Sequence, residues 1–167
     1  TMPGLPMLGH GQVEGFAEKY GMEYKRAYWD EPVDEDMVRR HEREVFPLMR
    51  RRALFSGAEN FALFDFRTPD GQVDENVYAY TNRHGGERAL ILYNNAYTAT
   101  RGHIHTSTPV NAAAADADPH LVRRSLTEAL ALDASPDMFH GFRDFISGLE
   151  YLRRGSELAD GGLFADL

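Results

Sequence analysis

The sequence predicts an α+β fold: a helical N-terminal segment, a small antiparallel β-sheet and a two-helix insertion near the C-terminus. Val38, Val45, Met49 and Leu54 recur near helical spacing through "EDMVRRHEREVFPLMRRRALFSG". After Gly57 the period falls to two, with Phe61, Leu63 and Asp65 alternating against Ala62, Phe64 and Phe66. The stretch "YAYTNRHGGERALILYNN" then reads as two strands around a glycine turn.

Taken in order, "PGLPMLGHGQVEGF" is rich in Gly and Pro and predicts loop around a short apolar strand. "YGMEYKRAYWDEPVDED" brings three tyrosines and the single tryptophan together. Asp34, Glu35 and Asp36 mark a helix start, where carboxylates meet the positive end of the dipole. Pro47 removes a backbone donor, so a kink or two abutting helices are expected near Phe46, and Gly57 is a plausible stop. "NFALFDFRT" is a strand, "PDGQ" a turn, "VYAYTN" and "RALILYNN" a hairpin, and "RGHIHTSTP" a further strand. "VNAAAADADPH" is a low-complexity linker or loop. Helices are expected over "PHLVRRSLTEALAL", with Pro119 in its first turn, and over "SPDMFHGFRDFISGLEYLRRGSEL", which opens on Ser135, Pro136 and Asp137. "GGLFADL" starts a last strand, and with "PGLPML" starting as abruptly at the other end, the chain reads as an excised piece.

Composition narrows the functional classes. The 167 residues contain no cysteine, which excludes disulfides and thiolate metal sites. A formal net charge of -8 argues against nucleic acid, which calls for a clustered basic face. No apolar run approaches the ~20 residues of a bilayer span, and the N-terminus lacks signal-peptide character, so no membrane is expected and cytoplasmic residence is the default.

The order of motifs resembles the C-terminal part of an α-amylase-type glycosidase of glycoside hydrolase family thirteen. "GLPMLGHGQVEG", through Gly4, Pro6, Gly9 and Gly11, resembles the eighth strand of the (β/α)8 barrel and the loop after it. "FPLMRRRALF" is similar to the last barrel helix. "ENFALFDF…NVYAYTNRHGGERALILYNN" is similar to the entry of the C-terminal β-domain, through Tyr78, Ala79, Arg83, Glu87, Leu90 and Asn94. At "GHGQVEG" the chain departs from the Tyr-Gly-Asp-Glu-like turn more usual in amylases. The resemblance implies that residues 1–57 are a terminal barrel strand, loop and helix. Residues 58–167 are then a partial C-terminal β-domain with a helical insertion at 119–158. The family's two carboxylates, ~5 Å apart in a retaining mechanism, come from earlier barrel strands. The implied function is therefore a fragment of an α-glucan-active glycoside hydrolase without its catalytic residues and without a cofactor. A non-catalytic carbohydrate-binding or interaction module is the alternative.

Candidate residues follow from both readings. His10, Gln12 and Glu14 would lie at the barrel's catalytic rim, where Gln and Glu could touch sugar hydroxyls or simply fix the loop. Trp29, with Tyr20, Tyr24 and Tyr28, could stack on sugar or pack on a neighbouring surface. His103 and His105 would point to one face of a strand, but two imidazoles are not a zinc site without a third ligand. Glu42 and Glu44 fall among Arg39, Arg40 and Arg43 on a helix, where ion pairing on a solvated face is expected. The implied partner is an α-glucan or oligosaccharide. Self-association is also implied, through Leu5, Met7, Leu8 and the helix over 38–54, whose barrel neighbours the chain lacks.

Overall fold

A computed structural model describes residues 1–18, 25–112 and 118–167. The chain forms two compact units, Thr1–Ser56 and Gly57–Leu167.

In the first unit the expected terminal strand is absent: residues 1–18 run through bends and turns. Prolines at 3 and 6 withhold ladder donors, and Gly4, Gly11 and Gly15 take positive φ, a conformation no regular strand uses. Among the described residues every strand pair is antiparallel, and there is no barrel. The helix begins where its acidic start predicts. Asp34 caps α1 (Glu35–Arg40) by accepting from the N–H groups of Asp36 and Met37 at 3.1 and 3.0 Å. Pro47 lies in the first turn of α2 (Phe46–Arg50), and the turn before it, His41–Val45, is π-helical. A proline here cannot donate to the carbonyl one turn back, and the backbone widens ahead of it. Arg51 leaves helical geometry at ψ 50° and separates α2 from α3 (Arg52–Phe55). The helix charges pair as expected, with Glu44 accepting from Arg40 at 2.9 Å and Arg43 at 2.7 Å.

The second unit is built on a sheet of order β1-β2-β3, comprising Ala62–Phe64, Val77–His84 and Glu87–Asn94. The β2–β3 register runs from Val77↔Asn94 to His84↔Glu87, so the turn is Gly85-Gly86, with Gly85 at φ 56°. One face of β2, through Val77 and Ala79, joins a core with Phe64, Phe66 and Ile104. Leu126, Leu130 and Leu158 close that core from the helices α4 (Leu126–Leu130) and α5 (Gly155–Gly161). Strand β4 (Arg101–Ile104) pairs with the terminal strand β9 (Leu163–Asp166) and exchanges hydrogen bonds between His103 and Arg67. Gly102 permits that approach, because a Cβ there would meet the Arg67 carbonyl and the Phe66 ring.

The expected two-helix insertion at 119–158 is corrected. Leu121–Val122 is a short strand, β6, paired with β5 (Val110–Asn111), and α4 begins later than Pro119, after Ser125. Of the linker reading over 110–120, residues 113–117 lie outside the described residues, and Val110–Asn111 is strand β5 instead of linker. The second expected helix is instead a hairpin, β7 (Phe139–Arg143) with β8 (Glu150–Arg154), followed by α5. Its turn is fixed by Asp144, which accepts from the Ile146 N–H at 2.9 Å and the Ser147 hydroxyl at 2.6 Å, and by Gly148 at φ 73°. These bonds hold the Asp144 carboxyl below the usual carboxylate range, the Ser147 hydroxyl contributing most.

Candidate functional site

The predicted first-unit residues are held by neighbouring residues of their own unit. Gln12 accepts from the Gly9 N–H and closes its own turn. The His10 ring lies 5.6 Å from that of Phe16. The Glu14 carbonyl accepts from Asp34 N–H at 2.9 Å, which ties the loop to the start of α1. Trp29 is exposed, and its backbone N–H donates to Glu18 Oε2 at 3.1 Å. Glu18 also accepts from Tyr28 N–H, and Glu31 in return accepts from the N–H groups of Ala17 and Glu18 at 2.8 and 2.9 Å. Two carboxylates thus clamp two loops reciprocally, a bonding role that sequence reading did not assign to either. Tyr20 and Tyr24 lie outside the described residues.

The first unit also carries an apolar groove of about 480 Å3, bordered by Met2, Leu5, Val45, Leu48, Met49 and Arg52. None of its described lining residues is Asp or Glu, so it holds no carboxylate pair for acid–base work.

His103 and His105 both lie on or just beyond β4 and are engaged structurally. His105 Nε2 donates to the Ala159 carbonyl at 2.9 Å, fastening α5 to the strand. No group of three or more metal-ligating side chains occurs among the described residues.

A stacked and exposed aromatic pair with polar neighbours lies elsewhere, on the hairpin that the alternation predicted. Tyr78 and Tyr93 are cross-strand partners in β2 and β3, with rings stacked at 6.3 Å and 26° and about half their surface open to solvent. The Tyr93 hydroxyl donates to Asn95 Oδ1 at 3.3 Å, and Tyr97 beyond it is fully exposed. The strand ends below the pair are locked. Asn95 N–H donates to the Asn76 carbonyl at 2.9 Å, and the Asn94 side chain bonds both Thr98 and Ala96. Asp74 accepts from the Thr100 hydroxyl at 2.8 Å and the Asn76 N–H at 3.0 Å. The same contacts keep its carboxyl below the ordinary range and therefore anionic, the Thr100 bond contributing most. Two flat apolar faces beside amide groups, on a pinned backbone, are suited to a pyranose ring: C–H groups lie on the aromatic face and hydroxyls reach the amides. No chemistry is poised here; the arrangement can bind.

Comparison with family models, with curated proteins and with solved structures gives no match to this chain.

Proposed function

We propose that this chain is a fragment from the C-terminal part of an α-glucan-active glycosidase of the α-amylase type, and that its second unit holds glucan without acting on it. The reading rests on the exposed Tyr78–Tyr93 stack, which lies within the stretch that resembles the family's C-terminal β-domain. An accessory domain that contacts a polymer needs a flat aromatic surface and no reacting group, and the hairpin offers that combination.

Calorimetric titration with maltooligosaccharides tests it. Tyr78→Ala and Tyr93→Ala should each weaken binding about tenfold, the effect of losing one aromatic stacking face. Tyr93→Phe keeps the ring and should retain most of the affinity. Far-UV circular dichroism verifies that the hairpin survives. The reading fails if no maltooligosaccharide binds, or if affinity is indifferent to both alanine variants.

A further inference from the structure

The β7–β8 hairpin is a two-stranded sheet of its own, in which, among the described residues, β8 pairs only with β7. Its hydrogen-bond phase follows from its two ends. Asp144 N–H donates to the Leu149 carbonyl and Gly155 N–H to the Met138 carbonyl, both at 2.8 Å. Alternation along an antiparallel ladder then makes 140/153 and 142/151 the bonded pairs. Glu150, Leu152 and Arg154 therefore turn their backbone polar groups away from β7, along an outer edge. The Leu152 carbonyl there takes the guanidinium of neighbouring Arg153 at 2.8 Å. The side chains on this hairpin are unusually apolar for a surface: Leu152 is 69% exposed, and Phe139, Phe145, Ile146, Leu149 and Tyr151 are exposed as well. An isolated two-stranded hairpin is marginal in water, and an uncovered edge invites a further strand.

The sequence of that edge identifies the strand it fits. Read against itself in reverse, Glu150-Tyr151-Leu152-Arg153-Arg154 places Glu150 opposite Arg154 twice, Tyr151 opposite Arg153 twice, and Leu152 opposite itself. The outward backbone groups of 150, 152 and 154 meet in the same alignment. Neighbouring alignments are worse. Centring on Glu150, Arg153 or Arg154 sets like charges face to face, and centring on Tyr151 leaves Glu150 against Leu152. Edge charges normally deter pairing because like meets like; this pattern is complementary to its own reversal. We propose that two copies of this chain associate through antiparallel β8–β8 pairing about a two-fold axis at Leu152. The result is a four-stranded sheet, with Leu152 paired at its centre and two Glu150–Arg154 ion pairs flanking it. Such an interface is isologous and closes at two subunits.

Sedimentation velocity over a dilution series tests this on the full chain. The wild type should pass from dimer to monomer on dilution. Leu152→Pro removes an outward N–H that β7 does not use, so it should keep the hairpin and abolish the dimer. Glu150→Arg places only arginines at the flanking positions and Arg154→Glu only glutamates, so each alone should dimerise about tenfold more weakly or worse. Mixed in equal amounts, the two variants should recover the dimer as a heterodimer. A monomeric wild type overturns the proposal, as does a mixture no stronger than its components. Association that survives Leu152→Pro and both charge variants but is lost in Leu5→Ser with Met7→Ser also overturns it, because the contact then belongs to the first unit.

Discussion

Asn82 lies on the central strand with 1% of its surface exposed, and among the described residues neither its amide oxygen nor its amide nitrogen has a hydrogen-bond partner. A buried polar group without a partner forfeits its hydration, at about 1–3 kcal/mol. Leucine has the same number of side-chain heavy atoms, branched at the same carbon, and nothing to desolvate, so Asn82→Leu should raise the thermal midpoint, whereas Asn82→Ala should lower it by leaving a cavity. A fall in midpoint for Asn82→Leu would mean that the amide makes an unrecognised stabilising interaction. The residue scale also explains why the tyrosine pair was not legible in the sequence. Tyr78 and Tyr80 are two apart and share a face of β2, yet Tyr80 is buried beside the Phe61 ring and Tyr78 is exposed. Strand β1 spans only residues opposite Ala79, Tyr80 and Thr81, so cover runs out one residue before Tyr78. Alternation reports which side a residue takes, never how far the neighbouring strand extends.

Among the elements, α4 shows how much depends on a short cap. Ser125 accepts from Glu128 N–H at 3.2 Å, and the Glu128 carboxylate accepts from the Ser125 N–H at 2.7 Å. In a helix of five residues this reciprocal pair satisfies the end that packing cannot reach, and Ser125→Ala should cost about 1 kcal/mol by thermal or denaturant unfolding. The Ser125 N–H, and then its hydroxyl, hold the Glu128 carboxyl below its ordinary range. Because the folded value is depressed, this contribution is complete above the unfolded glutamate value and is lost as pH falls through the folded one. Melting scans should therefore show a smaller acid-side loss for Glu128→Gln than for the wild type; parallel curves would refute the linkage. The capping pair was readable as Ser-Leu-Thr-Glu, but Pro119 offered an earlier start and masked it. The hairpin over 139–154 was hidden more thoroughly. Met138, Phe142, Phe145, Leu149 and Leu152 are spaced four, three, four and three apart, which imitates a helix face. Gly141 and the Asp144-to-Gly148 turn were the contrary signals. Where glycines and alternation agreed, as around Gly85-Gly86, both strands were legible, although β2 runs two residues further, to His84, and β3 starts one earlier, at Glu87.

At the scale of the whole chain, the clustered core belongs to Gly57–Leu167 and is assembled from distant parts: Phe64 from the first strand, Ile104 from the middle and Leu158 from the last helix. Arg101 pairs with Asp166 and Ile104 with Leu163, so the last strand closes most of the unit onto itself. A core that joins segments this far apart in the chain costs loop-closure entropy before it returns burial energy.

That cost imposes an order in time, and Arg88 marks it. Its guanidinium, carried on β3, donates to the carbonyls of Leu130 and Ala131 at 2.6 and 3.2 Å, at a helix end where Ala131 is held at φ 49°. The β2–β3 hairpin closes through its own two-residue turn, an event of microseconds, whereas a five-residue helix cannot persist alone. The helix must therefore settle on a hairpin that already exists, and its far end is fastened only after arrival. Stopped-flow circular dichroism should show Arg88→Ala accelerating unfolding while refolding hardly changes. A refolding rate that drops in proportion to the lost stability would place the helix in the nucleus instead. The arginine is a latch, closed last and opened first.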